Sequence, residues 1–206
     1  MAMSNAYASL KDVKAAARIT DPQDDPLIEV AIETASRMVD EYCERRFYTN
    51  GTAEVRTYAP TNNWWIDIDD VPAAAALTLK SSSTVVGTTF DVTWSATDFQ
   101  REPTNNINAG VPGPTTRLRA LGTYLFVPWA GEATVQVTST FGYATTVPMQ
   151  VKHATTLLAL RQFKRYDSPT GVIGFGDFGP VRVGTRLDPD VAMILNPLRR
   201  TSVAVA

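Results

Sequence analysis

Asp25-Pro-Leu-Ile-Glu-Val-Ala-Ile-Glu-Thr-Ala-Ser-Arg-Met-Val-Asp-Glu-Tyr-Cys43 is the stretch whose reading decides the fold. Ile28, Ala31, Ile32, Ala35, Met38, Val39, Tyr42 and Cys43 recur at i, i+3 and i+4. That spacing gathers apolar side chains on one side of an α-helix. Glu29, Glu33, Arg37, Glu41, Glu44 and Arg45 take the other side. Asp25-Pro26 supplies the start, an N-cap acid followed by proline at the first helical position, where a missing N–H costs nothing. Upstream, Thr20-Asp21-Pro22 interrupts the pattern, and Ser9 with Asp12 three residues on opens a shorter helix carrying Leu10, Val13, Ala16 and Ala17.

Beyond residue 50 the period changes from helical to alternating. Trp65, Ile66 and Ile68, then Leu77-Thr78-Leu79, then Phe90, Val92 and Trp94 against Asp91 and Thr93, read as strands. So do Tyr124 to Val127, and Val135, Val137, Ser139 and Phe141 against Gln136, Thr138 and Thr140. Their spacing predicts a small antiparallel β-sandwich or barrel. Arg101 to Leu121, rich in Pro, Gly and Asn, reads as a long loop. From Pro148 to Tyr166 the helical period returns. Val151, Ala154 and Leu158 share one face while Leu157, Ala159, Leu160 and Phe163 spread around the others, so burial on more than one side is expected. A short helix over 189–195 follows a glycine-rich stretch. The expected class is α+β. An N-terminal helical part (1–50) and a long helix (148–168) form the frame, a β domain (51–147) is inserted, and a glycine-rich loop with an extended C-terminal arm (169–206) closes the chain. The last segment, 188–206, follows every strongly periodic element and is expected to be dispensable for the core.

Composition narrows the function. Hydrophobic residues make up 44% and charged residues 19% of the 206, which argues against disorder. No apolar run nears the roughly 18 residues of a membrane span, and Met1 to Leu10 does not read as a secretory signal. One cysteine, Cys43, excludes an intrachain disulfide, and one histidine, His153, excludes a two-histidine metal site. Residues 1–100 hold 15 acids and 8 bases, whereas 101–206 hold 6 acids and 11 bases. An acidic half and a basic half suit head-to-tail packing of copies or a basic face towards nucleic acid, or else are charge scattered over a solvated surface.

No catalytic constellation, cofactor motif or metal set emerges. Asp67, Asp69 and Asp70 are generic acids at a strand end; a hard-cation site lacks its glycine-centred loop. The glycine run 171–179 follows a helix and has no Lys-Ser/Thr pair, so it reads as a flexible or hairpin loop and not as a phosphate cradle. His153 reads as a surface or structural residue and Cys43 as an inert buried thiol. Arg161, Lys164 and Arg165 sit in the last turns of a helix, where they favour its C-terminus or face phosphate or an acidic neighbour. Trp64-Trp65 divides between core and an edge or interface, or stacks on a sugar or a base.

The order of these features resembles a family. Tyr7-Ala-Ser-Leu-Lys-Asp-Val-Lys14, Asp24-Asp-Pro-Leu-Ile28 and Ala35-Ser-Arg-Met-Val-Asp-Glu-Tyr-Cys-Glu-Arg-Arg-Phe-Tyr48 are similar to tailed-bacteriophage head–tail connector (adaptor) proteins. So are Phe141-Gly-Tyr143, Val147-Pro148, Val151-Lys152, Ala159-Leu160 and Lys164-Arg165-Tyr166. Ser168-Pro-Thr-Gly-Val172, Leu187-Asp-Pro-Asp-Val191 and Pro197-Leu-Arg-Arg200 resemble the C-terminal arm of an actinobacteriophage-like branch. The resemblance implies a non-enzymatic virion protein without cofactor or metal, assembled in the host cytoplasm and located in the neck. It implies a dodecameric ring of copies docked on the portal protein. The ring would hand on to a downstream neck, stopper or tail protein, with the packaged double-stranded DNA passing in weak contact and no membrane involved. The arm residues Val191, Leu195, Leu198, Arg199 and Arg200 are then expected to reach the portal, and Arg161, Lys164 and Arg165 to serve the subunit interface or line the channel. The alternatives are another neck or tail-completion protein, and a carbohydrate-binding β module built on Trp64, Trp65 and Trp129.

Overall fold

The structure is a computed structural model that describes residues 5–84, 89–108, 111–129, 131–167, 172–174, 180–182 and 188–200. The chain forms two compact units: Met1–Arg45 with Val147–Ala206, and Arg46–Thr146.

The first unit is helical. Helix α1 (Leu10–Ala17) opens on a reciprocal capping box in which Ser9 Oγ accepts from Asp12 N and the Asp12 carboxylate accepts from Ser9 N. Helix α2 (Asp25–Cys43) takes Asp24, not Asp25, as its N-cap; Asp25 lies inside the first turn and its carboxylate receives Lys14 Nζ at 2.5 Å. The proline tolerates this shift because it needs only to stay within the first turn, where N–H groups have no helical acceptor. Ile28, Ala31, Ile32, Ala35, Ser36, Val39 and Cys43 are buried, the stripe its sequence spacing requires. Helix α3 (Met149–Asp167) packs on α2. Val151, Ala154, Thr155, Thr156, Leu158 and Ala159 are buried, an arc that Thr156 widens beyond one i, i+3, i+4 stripe. Leu157, Leu160 and Phe163 on the remaining sides are half-buried, so burial extends around much of this helix, as its spread of apolar residues implied. A hairpin of β10 (Val172–Gly174) and β11 (Pro180–Arg182) pairs antiparallel, and the residues joining its strands lie outside the described ones. Helix α4 (Pro189–Leu195) is capped by the Asp188 side chain and runs into a 3-10 turn at Asn196–Leu198.

The second unit is β. It contains β1 (Glu54–Tyr58), β2 (Trp65–Val71), β3 (Leu77–Ser81), β4 (Val92–Trp94), β5 (Phe99–Glu102), β6 (Ile107–Asn108), β7 (Val111–Pro112), β8 (Thr115–Ala120) and β9 (Val135–Ser139). Strands β1-β9-β3-β4 form one antiparallel sheet, β2-β8-β5 another, and β6-β7 a short ribbon. Both larger sheets contribute to one core: Ile66, Ile68, Val71, Phe99, Leu118 and Ala120 from one, Leu79, Trp94, Val135 and Val137 from the other. Phe126 stacks on Trp94 with ring centroids 4.8 Å apart. This is the sandwich alternative; no closed barrel forms among the described residues.

Two local expectations are corrected. Arg101 to Leu121 is not a loop but carries most of β5 to β8. In β8, Leu118 and Ala120 point into the core while Arg117 and Arg119 on the other face pair with Asp67 and Glu102 across the sheet. Conversely, Tyr124 to Val127 is not a regular strand; its backbone is held by Phe126 N donating to Asn63 O at 3.0 Å, with only Phe126 fully buried.

The two ends of the β unit are fastened to each other. Tyr143 N donates to Arg46 O at 2.9 Å, Arg46 Nη2 donates to Phe141 O at 2.9 Å, and the Phe47 and Tyr143 rings lie 5.1 Å apart. Between them Gly142, at φ 141°, donates to Asp70 O, and a Cβ there would stand 2.1 Å from Tyr48 O. Only glycine fits that close approach.

Candidate functional site

The segment 188–200 is seated by its own side chains. Val191, Leu195 and Leu198 recur at i, i+4 and i+7 and are 2%, 0% and 1% exposed. Asn196 Oδ1 accepts from Tyr42 Oη at 2.6 Å, Arg200 N donates to Cys43 O at 2.9 Å, and Asp188 faces Arg161 at 3.9 Å. The expectation that this segment is dispensable for the core is thereby corrected: burying three aliphatic side chains makes it part of the helical unit. Of the five arm residues, Arg199 is exposed and Arg200 half-exposed. Arg199 lies over the Tyr42 ring at 5.0 Å and faces Glu44 at 3.8 Å. Residues 201–206, which end the arm, lie outside the described ones.

The three basic residues near the end of α3 separate. Arg161 is half-buried and faces Asp188, whereas Lys164 and Arg165 are exposed. Tyr166 beside them is 53% exposed.

In the β unit the acid cluster is answered by arginines. Arg117 clamps Asp67 through Nε at 2.6 Å and Nη2 at 3.2 Å; Arg56 and the Tyr58 hydroxyl hold Asp69 at 2.7 and 3.0 Å. Burial and the neighbouring Asp69 charge push the Tyr58 phenol well above its ordinary range. Among the described residues no group of three or more His, Cys, Asp or Glu side chains is arranged to hold a metal ion. Arg101 is half-buried, and burial lowers its affinity for the proton. Its guanidinium ties Pro72 O, Ala75 O and Thr115 Oγ1, each at 2.9 Å, a structural clamp that the loop reading of this region concealed.

The tryptophans do not form one platform. Trp64 and Trp129 are 58% and 48% exposed, but Trp65 is half-buried with the guanidinium groups of Arg117 and Arg119 over its ring at 5.4 and 5.8 Å. His153 is exposed. Cys43 is buried, and loss of water pushes its thiol up to about 12, leaving no thiolate at neutral pH. Most of the glycine run 171–179 lies outside the described residues.

Sequence reasoning missed one surface. Leu27 and Val30 on α2 are 41% and 54% exposed, off the buried stripe. They lie within 21–33, which holds five acids and no base. The charge block was the available signal.

The start of α2 thus combines exposed apolar side chains with acidic neighbours, and the end of α3 combines them with basic ones. Residues 7–64 match the phage gp6-like head-tail connector family. The match takes in α1, α2 and the entry to the β unit, which is the first of the two stretches that resemble connector proteins; the second, 141–200, lies outside it. Solved structures extend the likeness in fold to the whole chain. The neck of an empty gene transfer agent (GTA) particle, computed with C6 symmetry, is similar with TM-score 0.57 at 14% identity, covering 100% of this chain and 96% of that one. The neck of the native GTA particle, computed with C12 symmetry, gives 0.56 at 14% with the same coverage. The virion of the native particle gives 0.56 at 16%, again covering 100% and 96%. No curated protein matches the sequence. Among the described residues no helix is long and apolar enough to cross a membrane.

Proposed function

We propose that this chain is the adaptor subunit of a phage or phage-like neck: a non-enzymatic virion protein that forms a ring on the portal, extends the DNA channel and presents a platform to the next neck or tail protein. The observation that carries the reading is the connector-family match over residues 7–64, on a chain whose whole length shares the fold of neck structures. The cyclic symmetry of those particles supports a ring, with twelve copies as the number proposed. Placement in an actinobacteriophage-like branch rests on residues 168–172 and 187–200 alone.

Within this reading Val191, Leu195 and Leu198 hold the C-terminal segment in position. Arg199 and Arg200, with the residues that follow them, face the portal. Passing DNA is in weak contact, since the chain's 19 bases are balanced by 21 acids and no basic run exceeds two residues. Co-expression with the portal protein of the same particle, followed by negative-stain electron microscopy, tests the assignment. A ring seated on the portal is expected; failure to form any ring, with or without portal, refutes it.

A further inference from the structure

Two surface patches of the helical unit are unlike each other and suited to each other. One is the start of α2, where Leu27 and Val30 are exposed beside half-buried Asp24 and Glu33, in a stretch with no base from 21 to 33. The other is the end of α3, where half-buried Phe163 and exposed Tyr166 flank exposed Lys164 and Arg165. Among the described residues Asp24, Glu33, Lys164 and Arg165 have no ion-pair partner.

The patches cannot satisfy each other inside one chain. Gln162 Nε2 reaches Met38 Sδ at 3.4 Å, which places the basic end of α3 against the second half of α2. Leu27 lies eleven residues before Met38, about 16 Å away along the helix axis. Each patch combines an apolar centre with a rim of one sign, and the two signs are opposite. Two different complementary patches on one molecule make a heterologous contact, and such a contact repeats head to tail until it closes.

We propose that the acidic start of α2 in one copy receives the basic, aromatic end of α3 from the next copy, so that this pair of patches is the subunit interface of the ring. The inference rests on the adaptor reading and names the contact that reading needs. Leu27 and Val30 pack against Phe163 and Tyr166 of the neighbouring copy, and Lys164 and Arg165 face Asp24 and Glu33. The charges fix orientation and speed encounter; the apolar groups supply the affinity.

Cysteine cross-linking tests the contact, since the native Cys43 is buried and silent. The full chain carrying Val30→Cys and Tyr166→Cys together, assembled with portal and treated with a short bismaleimide, should give a ladder of covalent multimers. Each single variant should remain monomeric, because a heterologous contact does not bring a residue beside itself. Charge variants supply the second arm. Lys164→Glu with Arg165→Glu, or Asp24→Lys with Glu33→Lys, should each lower ring yield about tenfold at physiological salt, and combining all four should restore it, with helicity unchanged throughout. Rings seen by microscopy that give no ladder, or dimers from a single-cysteine variant, overturn the contact while leaving the adaptor reading standing. Absence of any ring from the unaltered chain overturns both.

Discussion

Leu195→Ala measures how firmly the C-terminal segment is seated. Leu195 is 0% exposed, so the substitution removes fully buried carbons. At about 0.8 kcal/mol per methylene the transfer loss is about 2.4 kcal/mol. Neighbours pinned by Tyr42–Asn196 and Arg200–Cys43 cannot collapse fully into the space, which adds a cavity cost and brings the total to about 3–4 kcal/mol. That is a large share of the roughly 5–15 kcal/mol that holds a domain folded. Urea unfolding followed by far-UV circular dichroism should show a lowered midpoint with an unchanged slope. Met193, two residues earlier and 72% exposed, is the internal control: Met193→Ala should stay within about 0.5 kcal/mol of the unaltered chain. If Leu195→Ala is as mild as Met193→Ala, the segment is not part of the helical core and the argument from burial fails. Truncation at residue 188 should likewise destabilise the helical unit instead of leaving it intact.

Gly142→Ala should destabilise the β unit by about 2 kcal/mol or more, since the new Cβ meets a backbone oxygen that cannot move aside at a φ few L-residues adopt; thermal melting would show it, and an unchanged midpoint would contradict the geometry. Asp12 is held down to about 2 by hydrogen bonds from Ser9 and by Lys152. Its contribution is therefore present above its ordinary value of 3.8 and lost as pH falls from there through 2. With the side chain 31% exposed, water limits the effect to about 1 kcal/mol, and Lys152→Ala should flatten this part of the acid-stability curve. Cys43 should resist maleimide in the native chain at neutral pH and react only after denaturant is added; rapid native labelling would show that its helix opens readily.

The helices were legible because their signals are local and redundant. In α2 a proline, an acid block and eight apolar residues at one period agree. The seat of α4 was legible too, in the i, i+4, i+7 spacing of Val191, Leu195 and Leu198, but a short helix after a glycine-rich stretch reads as an appendage. Strand β8 was hidden for a different reason. Thr115-Thr-Arg-Leu-Arg-Ala120 alternates correctly, yet its outward arginines look like loop residues until their partners Asp67 and Glu102, 50 and 17 positions away, are brought across the sheet. The acidic patch on α2 was overlooked for the complementary reason: Leu27 and Val30 are as apolar as the core residues beside them, and only their place off the helical stripe, within a base-free acid block, marks them as left facing water.

The fastening of Arg46–Tyr48 to Phe141–Tyr143 has a consequence for how such a protein can change over time. The chain enters and leaves the β unit at nearly the same point, so the unit is a cassette with a single attachment stalk. Its strands can lengthen, shorten or be replaced without altering the spacing between Arg46 and Tyr143, where the chain enters and leaves the unit. Changes confined to those strands leave the junction itself untouched, because it is held by the hydrogen bond from Tyr143 N to Arg46 O and by the glycine beneath Tyr48 O.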